Sequence, residues 1–163
     1  MSVLIVFESH FGNTSAVATA IASGFADAGV PVVVAHVEEA PDAIPTDVDL
    51  LLVGAPTHNM NLPTAATRTK AAELSGSAPG GRGVAEWLAG VQARPGLRVV
   101  AFDTTVPGGF SGSAAKGTVK LLGRRGIKAE RGESFAVTKA PGPLRDGELE
   151  RARSWGAGLG GGR

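Results

Sequence analysis

No cysteine occurs among the 163 residues, which excludes disulfides, thiolate catalysis and cysteine-held metals. Tyrosine is also missing, and the only large indoles are Trp87 and Trp155. An excess of charge is lacking too: 16 Lys and Arg against 15 Asp and Glu leave a formal net charge of +1. That balance points away from nucleic acid and from an anionic membrane surface as partners. No apolar run is long enough to span a bilayer. The chain passes from Met1 and Ser2 straight into a short apolar run ending at Phe7, which predicts a cytoplasmic protein without a leader. What is present suits a globular chain. Hydrophobic residues make up 43 % and charged residues 19 %, and the length predicts one domain over residues 1–163.

Apolar, β-branched runs stand at residues 3–7, 30–37, 50–53 and 97–102, with a weaker fifth at 134–137. Central runs without polar alternation suit strands buried on both faces of a parallel sheet. Helical spacing fills the gaps. Val17, Ile21, Phe25 and Ala28 make one stripe, and Ala115, Val119 and Leu122 another. Leu149, Ala152, Trp155 and Leu159 mark a terminal helix, with Asp146 as its expected N-cap and Glu148 and Glu150 in its first turn. Gly29 and Gly126 read as helix stops. Residues 65–74 and 84–91 predict two helices around a glycine-rich, solvated stretch at 75–83, and residues 158–163 read as a flexible tail. The alternation yields a doubly wound α/β domain: a five-stranded parallel sheet with helices on both faces.

In such a sheet, ligands bind outside the carboxyl ends of the strands. The first loop there reads Glu8-Ser9-His10-Phe11-Gly12-Asn13-Thr14 and then enters a helix. Gly12 permits a bend that a Cβ would oppose. Ser9, Asn13 and Thr14 place short polar side chains beside the free N–H groups of a helix start, a nest for an anion. The loop has no lysine, so it is no Walker-type site, and no G-x-G-x-x-G, so the dinucleotide fingerprint fails. A cradle of hydroxyls and N–H groups suits a terminal monophosphate. The alternative is a simple capped strand–helix turn.

On these residues the chain resembles the flavodoxin family, whose phosphate loop has the form Ser/Thr-x-Ser/Thr-Gly-x-Thr. Ser9, Gly12, Asn13 and Thr14 match, and Phe11 stands where the family commonly has Ser or Thr. The resemblance implies a flavodoxin-like sheet of strand order 2-1-3-4-5 and FMN as the cofactor. It implies a phosphate held by Ser9, His10, Phe11, Gly12, Asn13 and Thr14. The loops after the third and fourth strands would clasp the ring, with Pro56, Thr57, His58, Asn59 and Met60 on one side. Asp103, Thr104, Gly109 and Phe110 would lie on the other. The expected role is electron transfer to a redox partner protein or a small-molecule acceptor, by a monomer or weak dimer and with no catalytic residue or metal. Two alternatives stand beside it: an FMN-dependent NAD(P)H or quinone oxidoreductase, and a flavin-free binding module.

Departures from the family pattern carry their own expectations. Flavodoxins usually stack the ring between Trp and Tyr; here both tryptophans fall on predicted helices, so weaker FMN binding is expected. Met60 offers soft sulfur contact to a ring, its alternative being a core residue, and His58 reads otherwise as a solvated loop residue. The family often carries a glycine in this loop, where Asn59 and Asn61 are the nearest residues tolerant of positive φ. A near-neutral chain also lacks the acidic field typical of flavodoxins, which implies weaker electrostatic steering.

Several residues invite other readings. His10 and His58 are expected to converge on one sheet edge, but without cysteine or a helical histidine pair no zinc site is expected. Glu8 and Asp103 look like a carboxylate pair ending adjacent strands; the plainer expectation is that Asp103 caps its loop or bonds the flavin's polar edge. A phosphoacceptor regulator needs Asp at the end of the third strand, where Gly54-Ala55-Pro56 stands. His36 reads as a surface residue, and Arg68 and Lys70 as part of a solvated helix face.

Overall fold

The computed structural model describes residues 1–77, 81–108 and 112–162. Among these, five strands alternate with five α-helices: β1 (Val3–Phe7), α1 (Asn13–Asp27), β2 (Val32–His36), β3 (Leu50–Pro56), α2 (Ala65–Ser75), α3 (Val84–Gly90), β4 (Arg98–Thr105), α4 (Ala114–Arg124), β5 (Glu130–Ala136) and α5 (Glu148–Gly161). Every strand pairing is parallel, in the order β2-β1-β3-β4-β5. This is the doubly wound arrangement the sequence predicts. Since β3 lies between β1 and β4, Glu8 and Asp103 do not end adjacent strands, contrary to the expectation from sequence.

Along β1, successive side chains face opposite ways. Leu4 and Val6 join a core with Leu51, Trp87 and Leu122; Val3 and Ile5 join a second with Leu52, Ile21 and Phe25. Two covered faces explain why the central runs show no polar alternation. The sheet edges differ. Val33 on β2 stays 63 % exposed despite its apolar run. β5 starts at Glu130 rather than Ser134, because an edge strand tolerates polar residues, and Arg98 meets Glu130 at 3.0 Å there. Of the glycine-rich stretch at 75–83, residues 78–80 lie outside the described residues; Arg82 ties the remainder to Asp42 at 2.6 Å and to the Val37 carbonyl at 3.1 Å.

α5 corrects three expectations. Its N-cap is Gly147 and not Asp146, although Glu148 and Glu150 occupy the first turn. Leu149 is exposed, and the buried face consists of Ala152, Gly156 and Gly160. The helix also continues through Gly161, where the sequence predicts a flexible tail from residue 158. The cause is a backbone-to-backbone crossing with α1. A Cβ on Gly156 would lie 2.2 Å from the Ile21 carbonyl oxygen, and one on Gly24 would lie 2.0 Å from that of Arg153. Small residues bring the two axes together, and the contact holds the last turns in helical form. No helix among the described residues is long and apolar enough to cross a membrane.

Candidate functional site

α2 and α4 begin with side-chain caps. Thr64 accepts from the Thr67 N–H in a capping box, and Ser113 accepts from the Lys116 N–H. α1 does not. Its N-cap is Gly12, left-handed at φ 85° and with no side-chain cap bond. Ser9 reaches across the turn only as far as the Ser15 N–H, at 3.2 Å. The Glu8 amide is bound to the Gly54 carbonyl at 3.0 Å. Between them, the amides of His10, Phe11, Gly12, Asn13 and Thr14 meet no acceptor among the described residues. A run of five unsatisfied donors at a helix start is a cradle for an anion. Two of the polar side chains expected there are engaged elsewhere. Asn13 donates to the Pro141 carbonyl at 3.0 Å, and the buried Thr14 hydroxyl lies 2.9 Å from that of Thr104.

This turn forms one wall of a cleft at the carboxyl edge of the sheet. Ser9, His10, Phe11, Asn13 and Thr14 line it, faced by Pro56, Thr57 and His58 from the loop after β3 and by Thr104 at the end of β4. Its enclosed part is about 70 Å³, well under the roughly 300–1,000 Å³ of pockets that engulf their ligands. The cleft is therefore too shallow to engulf a ligand of ordinary cofactor size.

The other residues singled out in the sequence are placed differently. Asn59 and Met60 form a tight reversal, with His58 and Asn61 exchanging both backbone hydrogen bonds at 2.8 and 2.9 Å. The positive φ values fall on Asn59 (46°) and Met60 (67°), not on Asn61. Met60 is 58 % exposed, so it belongs to no core. Asp103 has no exposed surface: its Oδ2 accepts from the Ser113 hydroxyl at 2.5 Å and the Ala115 N–H at 3.0 Å, capping α4 from below. Its Oδ1 is buried without a partner among the described residues. Gly109 and Phe110 lie outside the described residues. Sequence reasoning missed Val106 and the loop after β5, from which Val137, Ala140 and Pro141 line the cleft. The signal was there in the closely spaced Pro141 and Pro143, which mark a turn at the carboxyl edge of the last strand.

A buried polar network backs the cleft. Glu8 is 1 % exposed; one carboxylate oxygen lies 2.6 Å from His10 Nε2, and the other accepts from the Val84 N–H at the start of α3, at 2.8 Å. Arg68 is 4 % exposed and sits 4.0 Å from Glu8, so it does not belong to a solvated face. It donates to the Pro63 carbonyl and to both oxygens of Glu86. The rings of His10 and His58 converge as expected, with centroids 5.4 Å apart, and His58 Nδ1 lies 3.0 Å from the Thr67 hydroxyl.

The flavodoxin family model matches residues 5–102, more than half of the chain. The chain belongs to the flavodoxin family. No curated protein matches it in sequence. Among solved structures, a flavodoxin from the Archaea is similar over 98 % of this chain and 96 % of its own, with 20 % identity and a TM-score of 0.58. Flavodoxin 1 from Bacillus cereus is similar over 96 % and 95 %, with 18 % identity and a TM-score of 0.63. Megasphaera elsdenii flavodoxin gives 96 % and 98 %, 20 % identity and a TM-score of 0.57. These likenesses carry the fold.

In this flavodoxin-family chain the cleft holds an unusual base. Burial, reinforced by the neighbouring His10 and Arg68 and opposed by Glu8, pulls the His58 imidazole down to about 4. The ring is therefore neutral at physiological pH. The unfolded chain takes up the proton near 6.5, before the folded one does. Stability supplied by the neutral ring is then complete above about pH 6.5 and drains away as pH falls towards 4. A histidine NMR titration of the flavin-free protein is expected to place the His58 midpoint well below the ordinary histidine range. His58→Gln is expected to flatten the fall in urea midpoint across that window; an unchanged pH profile in the variant contradicts this assignment.

Proposed function

We propose that the chain binds FMN in this cleft and exchanges electrons through it with a redox partner. The observation that carries the reading is the uncapped start of α1, with the free amides from His10 to Thr14 on the cleft wall. Donors without a cationic side chain suit a phosphate monoester, held by amides and the helix dipole. Ser9 adds a hydroxyl, while Thr57, His58 and Thr104 would flank the ring. When bound, the isoalloxazine supplies the electron chemistry. The protein's part is to seat the phosphate, hold the loops around the ring and leave one edge open. Hydrogen bonds between the loops hold them in place for this role. The Thr57 N–H donates to the Thr104 carbonyl at 2.9 Å, and the Ala114 N–H to the Thr57 hydroxyl at 3.1 Å.

The test is a titration of the purified protein with FMN and, separately, with riboflavin, followed by flavin absorbance and fluorescence. FMN is expected to bind more tightly than riboflavin by at least about tenfold, the share of several amide bonds to a dianion. Equal affinities, or no binding of either, overturn the reading.

One observation favours a second reading, a two-electron oxidoreductase. His10 lines the cleft with a buried carboxylate on its Nε2, the arrangement by which an acid–base imidazole is usually oriented. Steady-state oxidation of NADPH by the FMN-loaded protein with a quinone acceptor distinguishes the two. Turnover abolished by His10→Gln selects the enzyme, and absence of turnover selects the carrier.

A further inference from the structure

The near-neutral total conceals a separation of charge. Residues 104–129 contain Lys116, Lys120, Arg124, Arg125 and Lys128 and no carboxylate. Residues 37–49 contain Glu38, Glu39, Asp42, Asp47 and Asp49 and no Lys or Arg. α3 lies between the two segments. On one side its Trp87 Nε1 donates to the Pro41 carbonyl at 3.0 Å; on the other its Leu88 carbonyl accepts from Arg125 Nη1 at 2.6 Å.

Lys116, Lys120 and Arg124 follow one another at four-residue spacing, so they share one stripe of α4. All three are exposed, and none of their charged side chains has a hydrogen-bond or ion-pair partner among the described residues. Arg124 in the last turn complements the helix dipole, but like charges at this spacing repel weakly, and an outside anion along the stripe relieves that repulsion. Lys120 and Arg124 wall a groove of about 310 Å³ whose floor includes Leu62, Ala85 and Leu121. The groove includes Asn61, the residue after the exposed Met60, and Asn61 closes the tight reversal that begins at His58 in the cleft. Gly117 makes that junction close: a Cβ there would lie 2.2 Å from the Asn61 side-chain oxygen. The nearest carboxylate on α3, Glu86, is already held by Arg68.

We infer that this face docks an acidic protein partner, its carboxylates along the α4 stripe and an apolar side chain in the groove. An apolar floor beside unpaired cations matches a short protein segment bearing both acids and an aliphatic residue. A long polyanion fits less well, since it brings no aliphatic side chain for the groove's Leu62, Ala85 and Leu121. The docking does not depend on FMN; only its use, delivering electrons beside the cleft, rests on the function proposed above. The polarity is the reverse of an acidic carrier meeting a basic partner.

The test uses the full-length, isotope-labelled protein without FMN and the end-blocked peptide Glu-Glu-Leu-Glu-Glu-Leu-Glu-Glu-Leu. Amide shifts are expected on α4 and residues 61–64, with affinity falling at least about tenfold in high salt. The charge reversal Lys116→Glu/Lys120→Glu/Arg124→Glu is expected to weaken the peptide by a similar factor, while Lys139→Glu, in the loop after β5 and outside the groove, leaves it within about twofold. Shifts elsewhere, or a reversal variant that binds as well as the parent, overturn the inference. So does tighter binding of a short single-stranded DNA or phosphatidylserine vesicles to the same face. Failure of FMN to bind the parent protein is read in a separate titration and leaves this result standing.

Discussion

Ser9→Asp is expected to weaken FMN binding by at least about a hundredfold while leaving the flavin-free protein at least as stable as before. Among the described residues, Ser9 contributes the one side-chain oxygen that reaches the start of α1, at 3.2 Å from the Ser15 N–H. An aspartate there still accepts that hydrogen bond. It also adds a negative charge to a helix start that has no cap of its own, which is favourable by about 0.3–1 kcal/mol. Towards a phosphate the same charge is repulsive: unit charges about 4 Å apart cost about 4 kcal/mol at an effective dielectric of about 20. One substitution therefore separates folding from ligand binding. Riboflavin, which lacks the phosphate, is expected to bind the variant and the parent alike. Fluorescence titrations of both flavins, with urea melts of the free proteins, make the comparison. FMN affinity in the variant within about threefold of the parent would remove the phosphate from the α1 cradle.

The second large effect concerns stability. Gly24→Ala and Gly156→Ala are each expected to destabilise the fold by about 3 kcal/mol or more, at the top of the range for overpacked cores. The new methyl of the first would fall 2.0 Å from the Arg153 carbonyl oxygen and 2.6 Å from the Ala157 nitrogen. That of the second would fall 2.2 Å from the Ile21 carbonyl oxygen. These obstacles are helix backbone, which cannot swing aside as a side chain does. Relief requires α1 and α5 to separate, and separation opens the core beneath Ile21, Phe25 and Ala152. A loss of that size lowers the thermal midpoint by roughly 10 °C for a chain of this length. Gly158→Ala is the control. A Cβ there meets nothing within 4 Å, so the usual helix preference is expected to raise stability by up to about 1 kcal/mol. Thermal and urea melts of the three variants decide the matter; a Gly24→Ala midpoint equal to the parent's contradicts the tight crossing.

The glycines on α5 also show where reading the sequence fell short. The apolar stripe expected there runs through Leu149, Ala152, Trp155 and Leu159; Leu149 is exposed, and Ala152 shares the buried face with Gly156 and Gly160, which the stripe leaves out. Where two helices cross at backbone distance, what matters is the absence of a side chain, and the four-residue spacing of Ala152, Gly156 and Gly160 is passed over by a search for large apolar residues. Arg68 is a second case. On its own helix it reads as one more solvated cation, but it is buried between Glu8, from the end of β1, and Glu86, from α3. Burial of a charge depends on partners remote in sequence, and no local pattern announces them. The loop after β5 reaches the cleft for a similar reason: Asn13, far away in the chain, donates to the Pro141 carbonyl.

By itself the sequence determined the strand–helix alternation, the parallel sheet and the position of the turn that leads from β1 into α1. Each of these is written in short-range signals: apolar runs for doubly covered strands, glycine and small polar residues for a helix start. Tertiary structure alone decided which charges are buried, which edge strand faces solvent and which side chains reach the cleft. It also decided that Arg82 and Arg94 pair with Asp42 and Asp49 while the cations along α4 stay unpaired among the described residues. Those properties depend on distances between residues tens of positions apart, and only the packing of helices against the sheet sets such distances.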